Sequence, residues 1–267
     1  MADPKGNVNV DFASKNTVIG RTPGDLQKYG EEGTAYIGKV VMSSGENPVL
    51  GRKVLMDVSK PHVILVCGKR GQGKSYSMAT MIEEFTKLQP EIRRRVSVIV
   101  VDMVGIFWTL KVPSRGNEKE LLEWGLTAES IPVRVLVPKG KLSFYKEKDI
   151  PVDGPLTIRT GELDITEWMA LFRYTWHDPE AILLGRVLED LKEKLGGRFG
   201  IEEIEMAIHQ DNEADNLTKQ ALKNRIGMTR EWGLFDKEGT KIKELAEPGK
   251  ITVIDVSAYR QAIGMEG

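Results

Sequence analysis

Apolar positions along the chain fall into two periods. The run Val63-Ile64-Leu65-Val66-Cys67 is unbroken by polar residues, which predicts a parallel strand covered on both faces. The segments 96–102, 133–137 and 250–257 repeat the pattern, the first and last carrying Asp102 and Asp255 at their ends. Directly after the first run the period lengthens. Met78, Met81, Ile82, Phe85 and Leu88 share one face of a helix expected over 76–88, with Pro90 as its stop. A helical block follows the third strand. Asp164-Ile165-Thr166-Glu167 has capping-box spacing ahead of Trp168, Leu171 and Phe172. Asp178-Pro179 then opens a helix with Ile182, Leu183, Val187, Leu188 and Leu191 on one side and Gly196-Gly197 as terminator. Helices at about 201–210 and 215–232 close the block, and their apolar stripes read as packing surfaces.

The remaining stretches predict less. Residues 1–33 are rich in Gly, Asn, Asp, Pro and Lys and are expected to form a flexible arm. Strands at 36–42 and 52–58 around a turn at 43–48 make a small β-element spanning 34–58. Segment 103–131 reads as irregular apart from a short helix at 118–124. Segment 139–155 reads as a charged loop in which Lys139, Lys141, Lys146 and Lys148 interleave with Phe144 and Tyr145. Such a loop either grips a phosphate backbone or is simply solvated. The Arg93-Arg94-Arg95 triplet is open to the same two readings. The order of elements gives an α/β domain with a mostly parallel sheet over 59–267, with a helical insertion at about 162–235.

Composition narrows the class. A chain of 267 residues can bury a full core, and 40% hydrophobic with 29% charged residues is a globular balance. No apolar run approaches the ~20 residues of a membrane span, and no signal-peptide core opens the chain. The single cysteine, Cys67, precludes an internal disulfide, fits a cytoplasmic protein, and is expected as core filler in its strand. His62, His177 and His209 are scattered, so no zinc site is visible. A net charge of −1 confines any DNA contact to local patches.

The chemistry lies between the first strand and the first helix. Gly68-Lys69-Arg70-Gly71-Gln72-Gly73-Lys74-Ser75 matches G-x-x-x-x-G-K-[ST] at every fixed position, with Tyr76 following in the helix. Three glycines let successive N–H groups converge on an anion, reinforced by the helix N-terminus. In that arrangement Lys74 reaches the β- and γ-phosphates, and the Ser75 hydroxyl is a Mg²⁺ ligand. Asp102 either touches that Mg²⁺ through water or merely follows its strand.

Residues 48–64 with the glycine loop, the strand 98–102 with Met103-Val104-Gly105, and the later series 133–138, 156–159, 222–235 and 251–257 together resemble the HerA/FtsK superfamily, on the HerA side. The resemblance spans about 34–257. It implies a RecA/FtsK-like P-loop fold that uses ATP and Mg²⁺ as a hexameric ring to move along or unwind DNA, in some cases beside a nuclease of NurA type. It implies arginine fingers, for which Arg225 and Arg230 are candidates, and an acidic strand, for which Asp255 is the candidate. Val256-Ser257 follow Asp255 where the family carries a glutamate, so the chain is expected to represent part of a longer protein. The alternative is a nucleotide-gated module that binds ATP and oligomerises without translocating DNA.

Overall fold

The structure is a computed structural model that describes residues 16–43 and 49–259. The turn expected at 43–48 lies, after Ser43, outside the described residues. The described residues fall into two compact units, one within 1–98, 110–132 and 248–251, the other within 99–109, 133–247 and 252–267.

The first unit is built on a three-stranded sheet. Strand β1 (Thr17–Ile19) is followed by helix α1 (Pro23–Tyr29), where Thr22 accepts from the Asp25 N–H at 3.2 Å and Pro23 takes the first turn. Strands β2 (Thr34–Ser43) and β3 (Val49–Asp57) then form an antiparallel hairpin with β-bulges, and β1 pairs parallel with β3. Residues 16–33 are therefore ordered rather than loose. The cause is a buried ion pair that composition does not reveal. Arg21, 8% exposed, donates to Asp57 Oδ1 from Nε at 3.2 Å and from Nη2 at 2.9 Å. It also donates to the carbonyls of Gly30, at 2.6 Å, and Glu32. Asp57, 1% exposed, further accepts from the Ser59 hydroxyl at 2.6 Å and contacts His62 Nε2 at 3.1 Å. Burial alone would raise the Asp57 pKa. Hydrogen bonds from Ser59, His62 and Arg21 outweigh it and hold the carboxyl down at about 2.

Helix α2 (Lys74–Thr86) buries Ile82 and Phe85, and its Glu84 accepts from the Tyr36 N–H of β2 at 3.3 Å. The helix ends at Thr86, short of the Pro90 expected as its stop, and Pro90 instead opens the short α3 (Pro90–Arg93). The expected helix near 118–124 is α4 (Glu118–Glu123). A further expectation fails. Residues 63–67 form no strand: Val63 is 101% and Leu65 84% exposed, and Cys67 is exposed rather than core filler. A buried parallel strand needs ladder partners on its flanks, and no strand among the described residues pairs with this segment.

The second unit holds a parallel four-stranded sheet in the order β4 (Val98–Asp102), β9 (Ile251–Asp255), β5 (Val133–Pro138), β6 (Gly154–Leu156). Between β5 and β6, the segment expected as a charged loop is a helix, α5 (Leu142–Glu147), with Tyr145 fully buried. Strand β7 (Ile158–Arg159) pairs with β8 (Phe235–Asp236). Between them lie α6 (Ile165–Phe172), α7 (Pro179–Leu195), α8 (Ile201–Gln210) and α9 (Asn216–Trp232). Trp168, Leu184, Ile204, Leu222 and Ile226 form the shared core of these helices. A short helix, α10 (Ile242–Leu245), precedes β9.

Candidate nucleotide-binding site

The glycine loop lies in the first unit and runs without interruption into α2. Gly71 and Gly73 have φ of +79° and +78°, a region that costs an L-residue strain and glycine nothing. Gly73 is the N-cap, and the first helical bond runs from Ser77 N–H to its carbonyl at 2.9 Å. The N–H groups of Lys74, Ser75 and Tyr76 precede that bond, so they carry the positive end of the helix. Lys74 curls back over the loop, its Nζ donating to the Lys69 carbonyl at 2.7 Å. The Gln72 N–H donates to the same carbonyl at 3.3 Å, closing a turn over Lys69, Arg70, Gly71 and Gln72. Gly68, Ser75 and Tyr76 are exposed along the same stretch. Positive-φ glycines, an open helix start and an ammonium over the loop fit a phosphate chain.

The two aspartates lie together in the second unit, at the carboxyl ends of adjacent strands. The Val256 N–H donates to the Asp102 carbonyl at 2.9 Å. Each carboxylate is taken up by the fold. Asp102, 1% exposed, accepts from the N–H groups of Val104 and Gly105 on Oδ1, at 2.9 and 2.8 Å, and from those of Ile106 and Phe107 on Oδ2, at 2.7 and 2.8 Å. Four such bonds saturate a carboxylate and organise the turn after β4. Asp255, fully buried, accepts on Oδ1 from the Tyr145 hydroxyl and the Ser257 N–H, both at 2.9 Å, while Oδ2 has no partner among the described residues. Burial, with the neighbouring Asp255 charge adding to it, pushes the Tyr145 hydroxyl pKa up.

The arginines on α9 have partners within the helical block. Arg225 donates to the Phe172 carbonyl at 3.3 Å and stacks over Tyr174, and Arg230 pairs with Glu205 at 2.5 Å. Of the basic–aromatic segment at 139–155, Lys139 pairs with Asp236, Lys148 lies over Phe144 and Lys141 over Tyr259. Sequence reading missed the Tyr145–Asp255 contact, whose one signal is the helical spacing of Leu142 and Tyr145. It also missed the Arg21–Asp57–His62 cluster, for which no local pattern exists.

A glycine loop of this signature opening a helix, in a chain that also carries a parallel α/β sheet, defines a P-loop nucleotide-binding protein. A protein-family model described as "Helicase HerA, central domain" matches residues 35–263, and the chain belongs to that family. Membership places it among the P-loop ATPases of HerA/FtsK type. No curated protein matches the chain. No helix of the described residues is long and apolar enough to cross a membrane.

Proposed function

We propose that the chain is the nucleotide-binding core of a HerA-type motor that couples ATP hydrolysis to movement along DNA, working as an oligomeric ring beside a nuclease of NurA type. The observation that carries this reading is the loop at 68–75, with Lys74 folded over it at the open start of α2. Lys74 would neutralise the β- and γ-phosphates, the N–H groups of the first turn would orient them, and Ser75 would hold Mg²⁺. Bound Mg²⁺ supplies charge neutralisation at the phosphates during hydrolysis. Arg225 and Arg230 remain candidates for transition-state contacts across a ring. That role requires each to leave its present partner, the Phe172 carbonyl or Glu205.

The second reading, a nucleotide-gated module without translocation, is favoured by one observation. Asp102 spends all four hydrogen bonds on its own turn, and Asp255 is fully buried against Tyr145, so neither carboxylate faces solvent. Turnover of ATP with Mg²⁺, with and without long duplex DNA, separates the two. DNA-raised turnover abolished by Lys74→Ala supports the motor. Lys74-dependent binding without turnover supports the module, and nucleotide binding indifferent to Lys74→Ala sinks both.

A further inference from the structure

We propose that one face of the β2–β3 hairpin, with Trp124 beside it, is a binding strip for single-stranded nucleic acid; this rests on the DNA-directed reading above and says where the strand lies. The hairpin register sets Lys39 directly opposite Lys53. Facing like charges destabilise a strand pair, and ordinarily a carboxylate is placed to relieve them. Among the described residues neither lysine has one within ion-pairing distance. Each instead lies over an aromatic ring, Lys39 Nζ at 5.0 Å from the Trp124 centroid and Lys53 Nζ at 5.0 Å from that of Tyr36. A ring face attracts an ammonium but does not cancel its charge, so the pair remains a double positive centre.

The same strip offers flat, apolar surface. Gly51 contributes no side chain, and Met42 fills the space over it: a Cβ at Gly51 would come within 2.8 Å of Met42 Cγ. Met42 is 68% exposed and Trp124 37%. Paired ammonium groups beside an exposed indole and a thioether match what an unpaired strand presents, phosphates alternating with bare base faces. A duplex hides those faces. Moreover, α4, which ends at Trp124, carries Glu118, Glu120 and Glu123, so the positive charge is a narrow line rather than a broad basic face. The strip thus replaces the segment at 139–155 as the local patch on which a protein of net charge −1 holds nucleic acid.

The test measures anisotropy of a labelled oligo-dT strand, its duplex with oligo-dA, and labelled polyglutamate over a salt series, using the whole chain. A fluorescent ATP analogue serves as the folding control. Lys39→Gln with Lys53→Gln is expected to weaken strand binding about tenfold or more and to flatten the log–log salt slope by about 1.4, roughly 0.7 per lost phosphate contact. Lys39→Arg with Lys53→Arg should retain binding, and Trp124→Ala should lose about fivefold through stacking. Analogue binding should be unchanged throughout. Should the double glutamine variant lose the analogue, Lys53→Gln alone decides, with an expected slope change of about 0.7.

An unchanged affinity and slope in the glutamine variants overturns the strip and leaves the DNA reading standing. Tighter binding of duplex or of polyglutamate than of the strand also overturns it, the latter pointing to an acidic protein partner. Absence of strand and duplex binding in the unaltered chain overturns the DNA reading itself.

Discussion

At the scale of single residues, the chain divides into chemistry legible in the sequence and electrostatics that only the fold assembles. Lys74 belongs to the first kind, since its spacing from three glycines marks it in the sequence as the candidate phosphate contact. Lys74→Ala should weaken ATP-analogue binding about 10- to 100-fold, the worth of a charge-assisted contact, as read by fluorescence titration. Arg21 and Asp57 belong to the second, lying 36 residues apart in the chain. Arg21→Met should cost about 3–5 kcal/mol in urea unfolding by stranding the buried Asp57 carboxylate, and adding Asp57→Leu should recover much of the loss. The pH dependence follows in sign. The folded Asp57 pKa, about 2, lies below its ordinary 3.8. Its contribution, about 2 kcal/mol, is therefore complete above pH 4 and lost as pH falls towards 2. Acid unfolding of Asp57→Asn should lack that loss.

At the scale of elements, periodicity located helices well wherever capping chemistry agreed with it. The box at Asp164 forms as spaced, with the Glu167 N–H donating to Asp164 Oδ1 at 3.0 Å and the Asp164 N–H donating to Glu167 Oε2 at 2.8 Å. Asp164→Ala should lower stability by about 1 kcal/mol, measured by thermal melting. At Asp178 the helix start was legible but the carboxylate's partner was not: it takes the Thr175 N–H at 2.6 Å and caps nothing in its own helix. Glycine substitutions separate positions that look alike in sequence. A Cβ on Gly140 would lie 2.6 Å from the Gly233 Cα, a backbone atom unable to step aside, whereas on Gly185 the nearest atom is Ile165 Cγ1 at 3.8 Å. Gly140→Ala should cost about 1–3 kcal/mol, and Gly185→Ala, within α7, should gain up to about 1 kcal/mol. Melting temperatures of the two variants should move in opposite directions. The element least served by pattern is 63–67, because an unbroken apolar run reports what a segment needs and says nothing about which neighbour supplies it.

At the scale of the whole molecule, the α/β class with its mostly parallel sheet and the helical block were legible in the sequence, since each rests on local period and chain order, whereas the strand expected at 63–67 did not form. The division into two compact units was not legible. It interleaves three separate segments of chain on each side, and such an arrangement depends on contacts between residues far apart. The hairpin lysines were invisible for the same reason, for a facing pair exists only once a register is set. If the motor reading holds, DNA-raised turnover should fall steeply with salt, because attraction to phosphates is the term that counterions weaken. The control is nucleotide binding, whose salt dependence should be shallower.

The family match begins at residue 35, and a cut at that point would look harmless on an alignment. It would sever Arg21 from Asp57, and with it the clamp on the Gly30 and Glu32 carbonyls. A shortened recombinant protein that starts there is expected to be poorly soluble and to melt early, while one that starts before Asn16 keeps its anchor. The edge of the family match and the edge of the folding unit are, in this chain, different places.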